Sequence, residues 1–155
     1  MRAKLCRALI LMSLSAGVLP LSQALATELK VETFVERRVI ATDANGAVSA
    51  SFETADLVKP GEYLRYSLRY SNALEGPAEA MVLTFPVPAE VEYVFGSAES
   101  EGQVHLVSID GGARFFAPTE DLLVERPRVT HIRWVFSDPV LSGQTGVVSM
   151  GAILK

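Results

Sequence analysis

Hydrophobic and polar residues alternate most regularly near the start of the segment Pro60–Tyr93. Apolar side chains occupy every second position at Leu64, Tyr66, Leu68 and Tyr70, and the positions between them hold Tyr63, Arg65, Ser67 and Arg69. Successive side chains of an extended chain point to opposite faces, so a period of two indicates a strand with one buried face. We therefore predict a half-buried strand whose arginines lie on the solvent side.

A turn and a second strand follow in the same segment. Asn72 and Gly76 are turn-forming residues at the end of the first strand. The next alternating apolar positions are Met81, Leu83 and Phe85. Pro86 then ends this strand, because proline cannot donate a hydrogen bond to a sheet ladder. Two half-buried strands joined by a turn predict the beginning of an antiparallel sheet.

The segment before Pro60 predicts further strands. Glu28–Ala41 is rich in Val, Thr and Phe, which favour strands. Its alternation changes phase at Phe34 and Val35, so we predict a first strand or strand pair with a bulge at that point. A helix is the competing interpretation, because the charged residues of this segment could line one helix face. Ala47–Lys59 is less regular and predicts a short edge strand.

Five further strands are predicted from alternation and turn residues. They lie at Glu90–Gly96, Gln103–Ile109, Ala113–Ala117, Val129–Phe136 and Val147–Leu154. Asp110, Gly111 and Gly112 tolerate positive φ, so they predict a hairpin turn. Trp134, which shares one face with Ile132 and other apolar residues, is predicted to lie at the centre of the core. Seven or eight short strands indicate an all-β, immunoglobulin-like antiparallel β-sandwich, and a small closed barrel is the alternative.

The first 26 residues predict a cleavable signal peptide rather than a part of the fold. A basic start precedes the apolar segment Ala8–Leu19, and Ala24 and Ala26 form a small-x-small cleavage signature. A retained membrane anchor is the alternative, because uncharged residues run from Ala8 to Thr27. We therefore predict export to the periplasm or to the extracellular space.

Residues 27–155 are predicted to form one acidic domain. The signal segment holds three of the 14 basic residues and none of the 18 acidic ones, so the other 129 residues carry a net charge of −7. A domain of this size buries roughly two thirds of its surface and needs no disulfide or metal to fold. These residues include no cysteine, which excludes thiol nucleophiles and thiolate metal sites. The acidic charge argues against a nucleic-acid partner.

Several short motifs occur in an order that is similar to that of a known family. They are Pro60-Gly61-Glu62, Asn72, Gly76-Pro77, Pro86-x-Pro88, Val91-x-Tyr93, Ser108-x-Asp110-Gly111-Gly112, Ile132-x-Trp134 and Ser142-Gly143-Gln144. In this order they resemble the bacterial conserved repeat family known as domain of unknown function eleven, over residues 57–155. The resemblance implies an immunoglobulin-like module of exported or cell-surface proteins, and it implies no catalytic residues. Members of that family often carry tandem copies, and this chain has room for one.

One motif is also similar to the Asp-box of sialidase-like propellers. It consists of Ser108-x-Asp110-x-Gly112-x-x-Phe115. The Asp-box shapes a hairpin turn and takes no part in catalysis, and a propeller needs more blades than this chain can form. We therefore predict that Asp110 forms hydrogen bonds within its own turn.

Candidate chemistry is limited to two histidines and one acidic loop. His105 and His131 lack the His-x-His or His-Glu-x-x-His spacing of metal sites. Glu120 and Asp121 belong to the densest acidic loop, for which a solvated loop is the simpler interpretation than a calcium site. A Gly-x-Ser-x-Gly motif for a serine nucleophile is absent from the sequence.

We predict a non-catalytic binding or structural module of the bacterial cell envelope, which needs no cofactor or metal and contacts a protein partner. The predicted interaction surface consists of solvent-facing strand residues, namely Tyr63, Arg65, Arg69, His131 and Arg133. Contact is predicted through a sheet face, or by strand addition beside the first or last strand. The alternative is a small metal-dependent or hydrolytic periplasmic enzyme that uses His131, His105 and the Glu120/Asp121 loop.

Overall fold

Eight strands form two antiparallel sheets in a computed structural model that describes residues 29–100, 102–119, 125 and 127–155. The strands are β1 (Leu29–Thr42), β2 (Val48–Thr54), β3 (Tyr63–Asn72), β4 (Val82–Pro86), β5 (Val91–Tyr93), β6 (Gln103–Ser108), β7 (His131–Phe136) and β8 (Thr145–Leu154). One sheet has the order β2-β1-β3-β8-β5, and the other has the order β4-β7-β6. The predicted all-β sandwich is confirmed at this level. The signal-peptide prediction falls outside the described residues.

The strand predicted from the clearest alternation, β3, lies at the centre of the five-stranded sheet between β1 and β8. The β1–β3 register places Phe34 opposite Ser67 and Val35 opposite Tyr66, with no extra residue on either strand. The predicted bulge at this point is therefore wrong, and the helix alternative is excluded. Phe34 interrupts the apolar alternation because it lies on the outer face, under the guanidinium of Arg69.

The short edge strand predicted within Ala47–Lys59 is present as β2. β2 pairs with residues 36–42 of β1, and β5 pairs with residues 152–154 of β8, so the first and last strands are paired on both sides only in part. Strand addition beside the first or last strand therefore stays a prediction. β2 and β5 are the outermost strands of this sheet.

The hairpin predicted around Asp110 is present only in part. The backbones of Val107 and Phe116 exchange two hydrogen bonds of 2.9 and 3.1 Å, but residues 113–117 form no strand. β6 instead pairs along its whole length with β7. The chain leaves the edge of β6 after one bridge because the turn is closed by its own side-chain hydrogen bonds rather than by a ladder.

The core lies between the two sheets, as the alternation of β3 and β7 predicted. Tyr70 meets Phe136 edge to face at 4.9 Å between ring centroids, and Tyr66 meets Phe85 at 5.6 Å. Trp134 is 0% exposed, which confirms its predicted central position. The described residues include no helix of the length and apolar character needed to cross a membrane.

Candidate binding surface

The outer face of the five-stranded sheet gathers arginine and aromatic side chains from three strands. Three arginines lie over aromatic rings: Arg65 is 3.7 Å above Phe52, Arg69 is 4.6 Å above Phe34, and Arg38 is 4.5 Å above Tyr63, measured from Cζ to the ring centroid. We call these six residues the arginine–aromatic face. Cation–π contacts at such exposed sites each contribute about 0.5–1 kcal/mol. They hold these long arginine side chains against the sheet.

The two central arginines of this face differ in their ion pairs. Arg65 is bound to Glu36, with Nε and Nη2 each 2.9 Å from Oε2, and both side chains are partly buried. Arg69 makes no ion pair with any described residue, although its cation–π contact with Phe34 fixes its position. Arg69 therefore presents a guanidinium that is not committed to an ion pair, although Glu32 lies opposite it on β1.

A groove of about 1000 Å³ runs along this face. Its floor includes Ser67 and Ser149, which lie opposite each other on β3 and β8 and are buried although they point outward. Phe34 and Arg69 line one side. Glu99 lines the other side, where its backbone exchanges hydrogen bonds of 2.8 and 3.0 Å with that of Ser149. The groove therefore has small side chains at its floor and larger ones at its sides.

The predicted interaction residues are divided between two opposite faces. Tyr63, Arg65 and Arg69 lie together on the arginine–aromatic face, whereas His131 and Arg133 lie on the outer face of the three-stranded sheet. There the Arg133 guanidinium is 3.6 Å above the Phe115 ring, and its Nε donates to Thr84 Oγ1 at 3.0 Å. The five residues therefore form two surfaces, of which only the first borders the large groove.

The two histidines do not converge on one site. The β6–β7 register places His105 opposite the buried Trp134, on the inner side, while His131 lies on the outer side. Burial lowers the pKa of His105, which favours its neutral form. The described residues contain no cluster of three His, Cys, Asp or Glu side chains that could hold a metal ion. Glu120 and Asp121 lie outside the described residues, so their predicted chemical role stays a prediction.

The turn after β6 confirms the role predicted for Asp110. Its Oδ1 accepts hydrogen bonds from the Ser108 hydroxyl at 2.8 Å and from the Arg114 backbone N–H at 2.9 Å, and its Oδ2 accepts from Arg114 Nε at 2.9 Å. The side-chain hydrogen bond from Arg114, followed by the backbone and Ser108 bonds, holds the pKa of Asp110 far below its usual range. This carboxylate is therefore used to shape the turn.

Sequence reasoning missed most of the groove. Phe34 and Phe52 belong to strands with weak alternation, and Ser149 gives no signal of its own in a largely apolar strand. The one usable signal is the register between neighbouring strands, because residues opposite each other share a face. Assigning the β1–β3 register would have placed Phe34 beside Arg69.

Comparison of the chain with protein-family models, with curated proteins and with solved structures gives no significant match. The resemblance to the conserved repeat family therefore stays a prediction.

Proposed function

We propose that this protein is a non-catalytic binding module of the bacterial cell envelope, exported by its signal peptide, that holds an extended segment of a partner protein in the groove of the arginine–aromatic face. The observation that carries the proposal is Arg69, which makes no ion pair with a described residue and lies beside a groove whose floor includes two serines. A partner carboxylate can pair with Arg69, and charge-assisted hydrogen bonds of this kind are stronger than neutral ones.

The composition of the groove suits a peptide better than a small metabolite. Its rim exposes apolar surface at Phe34 and Val147, which are 38% and 49% exposed. Its floor at Ser67 and Ser149 offers hydroxyl groups over a stretch of extended backbone. Extended peptides bind through alternate side chains and polar contacts, which this combination supplies.

We also propose that the fold is immunoglobulin-like in its general architecture. Two packed antiparallel sheets around a buried tryptophan support it. In immunoglobulin domains the last two strands are neighbours in one sheet. In this chain β7 and β8 lie in different sheets, so the proposed likeness concerns architecture rather than strand order.

The test is affinity capture from an envelope extract, with the purified protein as bait and with Arg69→Ala and Arg133→Ala compared. The two arginines are matched, because each lies over a phenylalanine ring on the outer face of a sheet, but only Arg69 borders the groove. We expect Arg69→Ala to lose a protein that the wild type and Arg133→Ala both retain. Equal retention by all three, or loss with Arg133→Ala alone, would count against the groove as the binding site.

A further inference from the structure

The free edge at β2 is unprotected, in contrast to the edges at β4, β5 and β6. Proteins blunt edge strands with proline, lysine, bulges or shortness. β5 has three residues, β4 ends at Pro86, and the edge of β6 is crossed by the bridge to Phe116. β2 has seven residues, VSASFET, and pairs with β1 without a bulge. Such an edge is a template for a further strand.

The hydrogen bonds at the two ends of β2 show which backbone groups face outward. Asp43 N–H donates to Ala47 C=O at 2.9 Å, and Ala55 N–H donates to Val35 C=O at 3.0 Å. Residues alternate between bonded and non-bonded positions along an antiparallel pair. The odd-numbered residues 47–55 therefore bond to β1, and the backbone groups of residues 48, 50, 52 and 54 point away from the sheet.

We propose that β2 pairs antiparallel with β2 of a second copy of this chain, about a two-fold axis at Ser51. In this register Ala50 lies opposite Phe52 of the second copy, and Val48 lies opposite Thr54. The backbone groups of residues 48, 50, 52 and 54, which point away from β1, then all face the second copy. The Thr54 C=O already accepts from Asp56 N–H at 3.0 Å, which leaves about six new backbone hydrogen bonds in the pairing.

The side chains of β2 are self-complementary in this register. Glu53, the single charged residue of β2, would face Ser49 of the second copy, so no like charges oppose each other directly. The large Phe52, whose ring lies under the Arg65 guanidinium of its own copy, would face the small Ala50 of the second copy. Val48, 69% exposed, would also lose contact with water. This complementarity identifies a second copy, rather than an unrelated strand, as the occupant.

A cysteine pair tests the register directly. In a Cys6→Ser background, which removes the one native cysteine, we compare Ser51→Cys with Ser49→Cys under mild oxidation. Both serines are exposed and lie on the same face of β2. At the axis, two copies of position 51 form a non-bonded pair about 4.5 Å apart between Cα atoms, within disulfide range. Two copies of position 49 are separated by about four residues, or roughly 13 Å.

We expect disulfide-linked dimers from Ser51→Cys and almost none from Ser49→Cys. Equal cross-linking by the two variants, or none from Ser51→Cys, overturns the proposal.

Sedimentation velocity with Ala50→Pro provides the second readout. The Ala50 N–H points outward, so proline there removes a donor from the dimer without removing one from the β1–β2 ladder. Wild-type protein is expected to sediment as twice the mass of one chain at high concentration, and Ala50→Pro as one chain with an unchanged circular dichroism spectrum. A wild type that stays monomeric at every concentration, or a folded Ala50→Pro that dimerises equally well, also overturns the proposal. The inference is independent of what binds in the groove.

Discussion

Asn72 provides the sharpest test of how the fold is held together. It ends β3 with its side chain 1% exposed. Its Nδ2 donates to the C=O of Gly76 at 3.0 Å and to the C=O of Val140 at 2.7 Å, and its Oδ1 accepts from the Leu74 N–H at 2.9 Å. One side chain thus joins the β3–β4 connection to the β7–β8 connection.

Asn72→Ala removes all three hydrogen bonds, although the C=O of Val140 still accepts from the N–H of Ala78 at 2.8 Å. A net hydrogen bond contributes about 1 kcal/mol, so the free energy of unfolding should fall by roughly 3 kcal/mol. Urea denaturation followed by the fluorescence of Trp134 measures the loss. With a slope of about 1.5 kcal/mol per M, the midpoint should fall by about 2 M.

Two companion variants separate the hydrogen bonds from other effects. Asn45→Ala changes an exposed turn asparagine whose backbone, not its side chain, bonds to Asp43, and it should change stability by less than about 0.5 kcal/mol. Asn72→Asp keeps the acceptor but loses both donors and places a carboxylate against two carbonyls, so at neutral pH it should cost at least as much as Asn72→Ala. A loss under about 1 kcal/mol for Asn72→Ala would refute the reasoning.

Three further predictions follow from packing and charge. Gly151→Ala should destabilise the protein by about 1–3 kcal/mol in urea titrations, because a methyl group there overlaps the ring of Tyr63, and the cost should shrink in a Tyr63→Ala background. Trp134→Ala should cost about 3–5 kcal/mol, but Trp134→Phe should cost much less, because the buried indole N–H has no partner among the described residues. The hydrogen bond from Arg114 lowers the pKa of Asp110 in the folded state. The ionised Asp110 therefore stabilises the fold fully above about pH 4, and this stabilisation is lost on further acidification. In Asp110→Asn, the melting temperature should fall less steeply below about pH 4 than in the wild type.

The strands that could be predicted from sequence are those with one solvent-exposed face and one buried face. β3 and β7 each place alternate side chains between the sheets, so Leu64 and Trp134 were assigned to the core correctly. The turn at Asn72 was also predictable, because asparagine can bond to nearby backbone. Its bond to Val140, 68 residues away, was not, because local propensity carries no information about such distant partners.

The parts that could not be predicted depend on strand pairing across long sequence distances. The sequence predicted a phase change at Phe34 because an apolar residue on the outer face produces the same pattern as a one-residue shift in the alternation of the strand. Its true environment is set by β3, where Arg69 covers it. The division of Tyr63 and His131 between two faces has the same origin. The solvent-facing side of each strand was predicted correctly, but the sequence did not show that β3 and β7 belong to different sheets.

The proposed dimer edge and the groove belong to the same sheet. Dimerisation would therefore affect how a partner with two binding segments is held. Pairing at β2 would give a ten-stranded sheet in which β3 of one copy lies five strand spacings, about 24 Å, from β3 of the other. Both grooves would then open on one continuous surface, related by the two-fold axis at Ser51. A partner with two suitable segments would bind both at once, so its apparent affinity would exceed that of a single groove by a factor that depends on linker length. Ala50→Pro should therefore weaken a bivalent partner and leave a monovalent peptide unaffected, whereas Arg69→Ala should weaken both. Equal weakening of both ligands by Ala50→Pro would show that the edge and the groove are not separate sites.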